Sequence, residues 1–168
     1  MKRLAADLVR TVEANDEEWV GPPERRLLDG ILMAMGPMDT ARSHLLLVHL
    51  LRNSQSHLVR ADALEAMAFE KERFDFDLVR PFASDRVSPP EILSALYALR
   101  YYDYANRRPE GARECVSPLL RHEHPMVRVY GIELLMLNAS NLDLILPLGD
   151  DPSPHVRKAV AEAAEWIA

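Results

Sequence analysis

The stretch that decides the fold is Asp151–Ala168, DPSPHVRKAVAEAAEWIA. It opens with Asp, Pro, Ser and Pro, the chemistry of a helix start. Val156, Ala159, Val160, Ala163, Ala164 and Ile167 then recur at steps of three and four, which draws one apolar face along an amphipathic helix. Arg157, Lys158, Glu162 and Glu165 fill the remaining positions. One such helix cannot bury its own face, so it requires a neighbour.

Working back along the chain, that neighbour is an earlier copy of the same unit. VRADALEAMA starts at Val59, VRVYGIELLM at Val127 and VRKAVAEAAE at Val156. Each opens Val-Arg, through Arg60, Arg128 and Arg157, and each carries a modest residue four positions after the valine: Ala63, Gly131 and Val160. Each has a glutamate six positions after it: Glu65, Glu133 and Glu162. EILSALYALR from Glu91 aligns as a weaker copy, with Tyr97 in the glutamate position. The aligned starts 59, 91, 127 and 156 are 32, 36 and 29 residues apart, a spacing that marks helical repeats. Pro81, Pro118 and Pro147 stand nine or ten residues before three of these starts, each inside an apolar stretch, and Leu50 holds that position in the first copy. An interior proline breaks or kinks a helix, so a bend is expected in the first helix of each proline-bearing unit.

A proline-bearing first helix, a short turn with aspartate and a second helix opening Val-Arg resemble the HEAT repeat. The resemblance covers roughly residues 39–168 and implies an all-α fold: a short right-handed α-solenoid of HEAT-like helical hairpins, about four of them. It also implies that Asp151 and Arg157 are the turn aspartate and helix arginine that pair and stack between repeats. Ser54 and His122 hold the aspartate position elsewhere, and Glu91-Ile92 replaces Val-Arg, so an unbroken Asp–Arg ladder is not expected. Upstream, residues 3–14 read as a helix, residues 17–20 as a short extra turn, and Pro23 to Met35 as a helix with Leu27, Leu28, Ile31, Leu32 and Met35 in phase. Gly36-Pro37 ends it. Residues 1–38 are thus expected to form an N-terminal helical cap on a single domain of residues 1–168.

Composition bounds the role. At 168 residues with 48% apolar and 27% charged side chains, the chain is expected to fold. The net charge of -6, from 20 basic and 26 acidic residues, disfavours broad binding to a phosphate backbone. Cys115 is the sole cysteine, which excludes an intrachain disulfide and fits a reducing, cytoplasmic setting. Asp7 and Arg10 interrupt any signal-peptide core, and the apolar run Leu45–Leu51 is too short to span a bilayer.

No catalytic constellation is legible, and neither a cofactor nor a metal is expected. His122-Glu123-His124 could chelate or could be a surface turn; no further ligand is identifiable by spacing, and the turn is the favoured reading. His44 and His49 are five apart, the wrong spacing for one helix face. Cys115, beside Val116, reads as a small buried hydrophobe. Glu65, Tyr97, Glu133 and Glu162 share one repeat position, which the resemblance puts on the concave side. They are either a row that attracts a basic partner or a solvated face. The helix Met126 to Leu137 is apolar all round, with Val129, Ile132, Met136 and Leu137 beyond its core positions; burial is favoured over an exposed patch. Tyr101, Tyr102 and Tyr104 beside Arg100, Arg107 and Arg108 form a second candidate contact.

The role that follows is non-enzymatic binding of another protein, one with a basic patch, on a rigid concave surface. Nucleic acid and membrane are not expected partners. Alternatives are an immunity-type inhibitor of a basic toxin such as a nuclease, and a HEAT-like lyase or base glycosylase. A base glycosylase would want a basic groove, which a charge of -6 does not promise.

Overall fold

Prolines set the pattern of helix lengths. A computed structural model describes residues 23–104 and 112–167, and every regular element among them is a helix. Residues 3–14 and 17–20 lie outside the described residues. Among those described, no helix is long and apolar enough to cross a membrane. The chain divides into two compact units between Phe74 and Asp75.

The first unit contains α1 (Pro23–Met35), α2 (Ala41–Asn53) and α3 (His57–Met67). Its α3 packs against both others. Leu28 and Leu32 of α1 are buried, but Leu27, expected in phase with them, is 53% exposed. Leu27 lies about 100° around the helix from Leu28, at the margin of the apolar stripe. Where α1 ends, a Cβ on Gly36 would stand 2.0 Å from the carbonyl oxygen of Ala66. Only glycine lets the turn come this close to the end of α3. The turn closes through Asp39, whose φ of 43° is left-handed, a conformation that Asp tolerates better than most residues. Thr40 and Ser43 then start α2 with a reciprocal capping box: Ser43 N–H donates to Thr40 Oγ1 (3.1 Å), and Thr40 N–H donates to Ser43 Oγ (3.0 Å). Leu47, Leu50 and Leu51 bury the inner face of α2.

The second unit alternates short, divided helices with longer ones. The short helices are α4 (Phe76–Val79), α6 (Ala112–Val116) and α8 (Leu142–Ile145), each continued by a 3-10 segment: Arg80–Phe82, Ser117–Arg121 and Leu146–Asp150. Pro81, Pro118 and Pro147 are the second residue of these three segments. A proline cannot donate to the carbonyl four residues back and its ring crowds that carbonyl, so the chain tightens to bonds across three residues. The expected bend is thus a switch from α to 3-10 geometry at one register. The copy with Leu50 in that position shows the contrast, because α2 stays α-helical through all 13 residues.

The longer helices are α5 (Pro89–Tyr104), α7 (Pro125–Leu135) and α9 (Pro154–Ile167). The middle one, α7, packs against both α5 and α9. Ile92, Leu96 and Leu99 of α5, Val127 and Ile132 of α7, and Val156 and Ala163 of α9 form the core with Val116, Leu119 and Ile145 of the short helices. The modest residue of each copy has a purpose here: a Cβ on Gly131 would meet Leu120 Cδ2 at 3.2 Å and Val116 Cγ1 at 3.5 Å. Val129 and Ile132 are buried, so the all-round apolar helix is an interior one, with Met136 and Leu137 half-buried just past its end.

Candidate functional site

The three Val-Arg arginines make one contact in common. Each Nη1 reaches back across the start of its helix to the carbonyl six residues earlier. Arg60 donates to Ser54 O (2.7 Å), Arg128 to His122 O (2.6 Å) and Arg157 to Asp151 O (2.7 Å). Arg128 and Arg157 also reach the carbonyl five residues earlier, on Glu123 and Pro152, each at 3.0 Å. The residue at the head of each turn accepts the amide two positions on. Ser54 Oγ accepts from Ser56 N–H (3.2 Å), His122 Nδ1 from His124 N–H (3.0 Å) and Asp151 Oδ1 from Ser153 N–H (2.8 Å). Three different side chains therefore close one turn, because an acceptor lone pair at that point is all the turn demands.

Asp151 does more than this. Its carboxylate receives Arg128 in a fork, Nε to Oδ2 at 2.9 Å and Nη2 to Oδ1 at 2.8 Å. The two side chains retain only 10% and 6% of their accessible surface. The resemblance implied that Asp151 and Arg157 pair; Arg157 instead binds the Asp151 carbonyl, and the carboxylate belongs to the arginine of the preceding copy. The reason is geometric, since Arg157 Nη1 is already directed at the turn carbonyls. The Arg128 fork holds the Asp151 carboxyl below the usual carboxylate range, with burial opposing it and the Ser153 amide assisting.

The shared glutamate position is less uniform. Glu65 is half-buried, and burial, with Asp29 nearby, pushes its carboxyl up. Tyr97 is half-buried and stacks on Tyr101, ring centroids 6.5 Å apart at 29°. Glu133 of α7 is bound by Arg100 of α5. Glu162 stays 57% exposed and meets Lys158 at 3.3 Å, one helical turn back. Two of these three carboxylates thus already face a cation. The side chains of Tyr102, Tyr104, Arg107 and Arg108 lie outside the described residues.

His122 Nδ1 is engaged inside its turn, and among the described residues no group of three or more potential ligands converges for a metal. His49 meets Asn53 Nδ2 at 3.2 Å. Cys115 is half-buried, and burial pushes its thiol up, away from the reactive thiolate.

Some partners were not read from the sequence. His44 Nδ1 lies 2.9 Å from Oε2 of Glu70, whose side chain is wholly buried. Arg73 binds the carbonyl and carboxylate of Asp39, and Glu72 N–H donates to Asp39 Oδ2. Arg113 gathers Ser140 O, Asn141 Oδ1 and Asp143 Oδ2. Glu91 is buried because its Oε2 accepts the amide and hydroxyl of Ser88 (3.1 and 2.7 Å). Of these, Ser88-x-x-Glu91 carried a legible signal, a capping-box spacing at the head of an apolar run. Comparison with known proteins leaves the chain to be read from this geometry, since no family model and no curated protein sequence matches it.

Proposed function

We propose that this chain is a non-enzymatic binding module, built as a short HEAT-like solenoid that presents fixed side chains to another protein. The observation that carries this reading is the recurrence of one turn, with its arginine, at Arg60, Arg128 and Arg157. A unit repeated with the same internal bonds is a scaffold on which outward residues sit at set intervals. Pre-organised side chains lose less entropy on binding than mobile ones. The role rests on the fold and on this repetition, which is analogy at the level of architecture.

The surface proposed for contact is the shared position as it occurs within the second unit, at Tyr97, Glu133 and Glu162. Its partner is a protein with a basic patch. Glu162 is its most accessible carboxylate, and Tyr97 with Tyr101 adds an aromatic pair of the kind favoured in interface hot spots. The experiment is affinity capture from the native cell, followed by titration of the captured protein against wild type and the Glu133→Ala Glu162→Ala variant. The variant binds more weakly at low salt, and the difference shrinks as salt rises. Equal affinity at every salt concentration would remove this surface from the proposal.

A further inference from the structure

Glu70 is a buried acid of the first unit that the proposed contact surface does not use. After α3 the chain turns through bonds from Phe69 N–H to Ala66 O (3.1 Å) and from Glu70 N–H to Met67 O (3.0 Å). Two side-chain ties then hold residues 68–73. Glu72 N–H and Arg73 Nη1 donate to the Asp39 carboxylate, each at 3.1 Å. Glu70 Oε2 lies 2.9 Å from His44 Nδ1 on α2. Burial opposes the charge on Asp39, but the Glu72 amide and Arg73 outweigh it and hold that carboxyl below its ordinary range. Glu70 is the opposite case. Its side chain is wholly buried, and its Oε1 has no hydrogen-bond partner among the described residues. A carboxylate only accepts, so a buried one with a single bond is costly. Among the described residues, the charged and titratable groups acting on it are His44 of α2, Asp39 of the preceding turn and Arg73 of its own segment. Burial is the largest influence and pushes the carboxyl up; Asp39 adds to it, and His44 and Arg73 oppose it.

We propose that residues 68–73 are a pH-sensitive strap, closed on α2 while the Glu70–His44 pair holds one proton and loosened when that proton leaves. One proton balances the pair. Carried on Glu70 Oε2, it is donated to a neutral imidazole; carried on His44 Nδ1, it is donated to the carboxylate. In both arrangements the pair is neutral overall and the bond is made, so the proton belongs to the pair rather than to either residue. Its loss to solvent leaves a net negative charge on a wholly buried carboxyl, with the Asp39 carboxylate acting on it as well. His44 gives the proton its route, since the imidazole keeps 23% of its accessible surface while Glu70 keeps none. The far end of the strap stays anchored, because the Asp39 tie to Glu72 and Arg73 requires no proton.

The test uses the intact chain, labelled with nitrogen-15 and carbon-13, and follows amide hydrogen exchange from about pH 5 to about pH 8, corrected for the intrinsic pH dependence of exchange. The Phe69 and Glu70 amides are less protected than those of Leu47 and Leu51 in α2, because the strap opens without the rest of the unit. Their protection falls as pH rises, by at most about tenfold per pH unit, the limit for one proton. The Glu70 carboxyl carbon titrates above the ordinary glutamate range, and the His44 ring nitrogens move with it. Glu70→Gln keeps a donor towards His44 without a titratable group, and it abolishes the fall. Protection that does not change with pH overturns the proposal. So does equal protection of the strap and α2 amides, or a Glu70 carboxyl that titrates at or below its ordinary value. These three readings use unmodified protein. A Glu70→Gln chain that keeps the same fall overturns it too.

Discussion

Replacing Asp151 with alanine removes three bonds at once. Two are the forked bonds from Arg128, and the third is the turn bond from Ser153 N–H. Hydrogen bonds to charged groups contribute about 1.5–3 kcal/mol each, and loss of an acceptor at a helix start costs about 0.5–2 kcal/mol. The sum overstates the effect, because water can enter and solvate part of what the carboxylate leaves. Breaking a buried pair from one side costs about 3–5 kcal/mol, since the other charge stays behind. Arg128 keeps its two carbonyls, so the lower end applies, about 3 kcal/mol. For a chain of this length that is a fall in Tm of about 6–12 °C.

Thermal and urea melts of Asp151→Ala and Glu162→Ala, side by side, check this. Among the described residues Glu162 pairs with Lys158 across one exposed turn, and its loss changes stability by less than about 0.5 kcal/mol. Acid titration adds an independent reading. The native Asp151 carboxyl sits below its unfolded value of about 3.9, so its stabilisation is complete above that pH. It is lost as pH falls through the native value, and Asp151→Asn removes this acid limb. If Asp151→Ala melts within a degree or so of wild type, or if Asp151→Asn keeps the same acid limb, the Arg128 fork does not hold the last two repeats together.

Gly36→Ala places a methyl 2.0 Å from the Ala66 carbonyl oxygen, so the end of α1 must move from α3; urea melts show a loss of about 1–3 kcal/mol or more. Burial pushes the Glu70 carboxyl up despite His44 and Arg73, with Asp39 adding to the rise. A carboxyl raised on folding stabilises fully below its unfolded value and less as pH climbs through its native one. Urea melts of the first unit therefore weaken as pH rises above the ordinary glutamate range, and Glu70→Gln flattens that limb. His122→Ala loses the turn acceptor and about 1 kcal/mol, by the same amount with or without added zinc; a wild-type Tm that rises sharply with zinc contradicts the turn reading.

The sequence carried the period of the structure better than its contacts. Pro81, Pro118 and Pro147 announced a disturbance at one register because a missing N–H acts locally, wherever the proline sits. Their outcome, a switch to 3-10 geometry, depends on how the next turn packs, which no spacing records. Val-Arg was legible as a repeat mark, and its reach to the turn carbonyls is a contact within seven residues. The Arg128–Asp151 fork joins residues 23 apart, whereas the resemblance to the HEAT repeat implied a pairing of Asp151 with the nearer Arg157. Leu27 looked like a core residue because a helical stripe has soft edges. Glu70 gave no sign at all: a glutamate just after a helix reads as a surface residue until the fold lays His44 against it.

The turn heads show how a repeat can lose its signature and keep its geometry. Ser54, His122 and Asp151 share one obligation, to accept an amide two residues on, and each has a lone pair at the right reach. Each closes its hairpin turn with the same bond. Only Asp151 adds a charge, and that charge serves the neighbouring repeat rather than its own. Two layers of bonding are thus superposed at one position. The inner layer closes a turn and tolerates any acceptor. The outer layer joins successive repeats and requires a carboxylate facing an oriented arginine. Within the second unit the outer layer is filled once, between Arg128 and Asp151. Arg157 serves the inner layer of its own turn through the carbonyls of Asp151 and Pro152, as Arg128 does through those of His122 and Glu123, so the two layers are carried by different edges of one guanidinium.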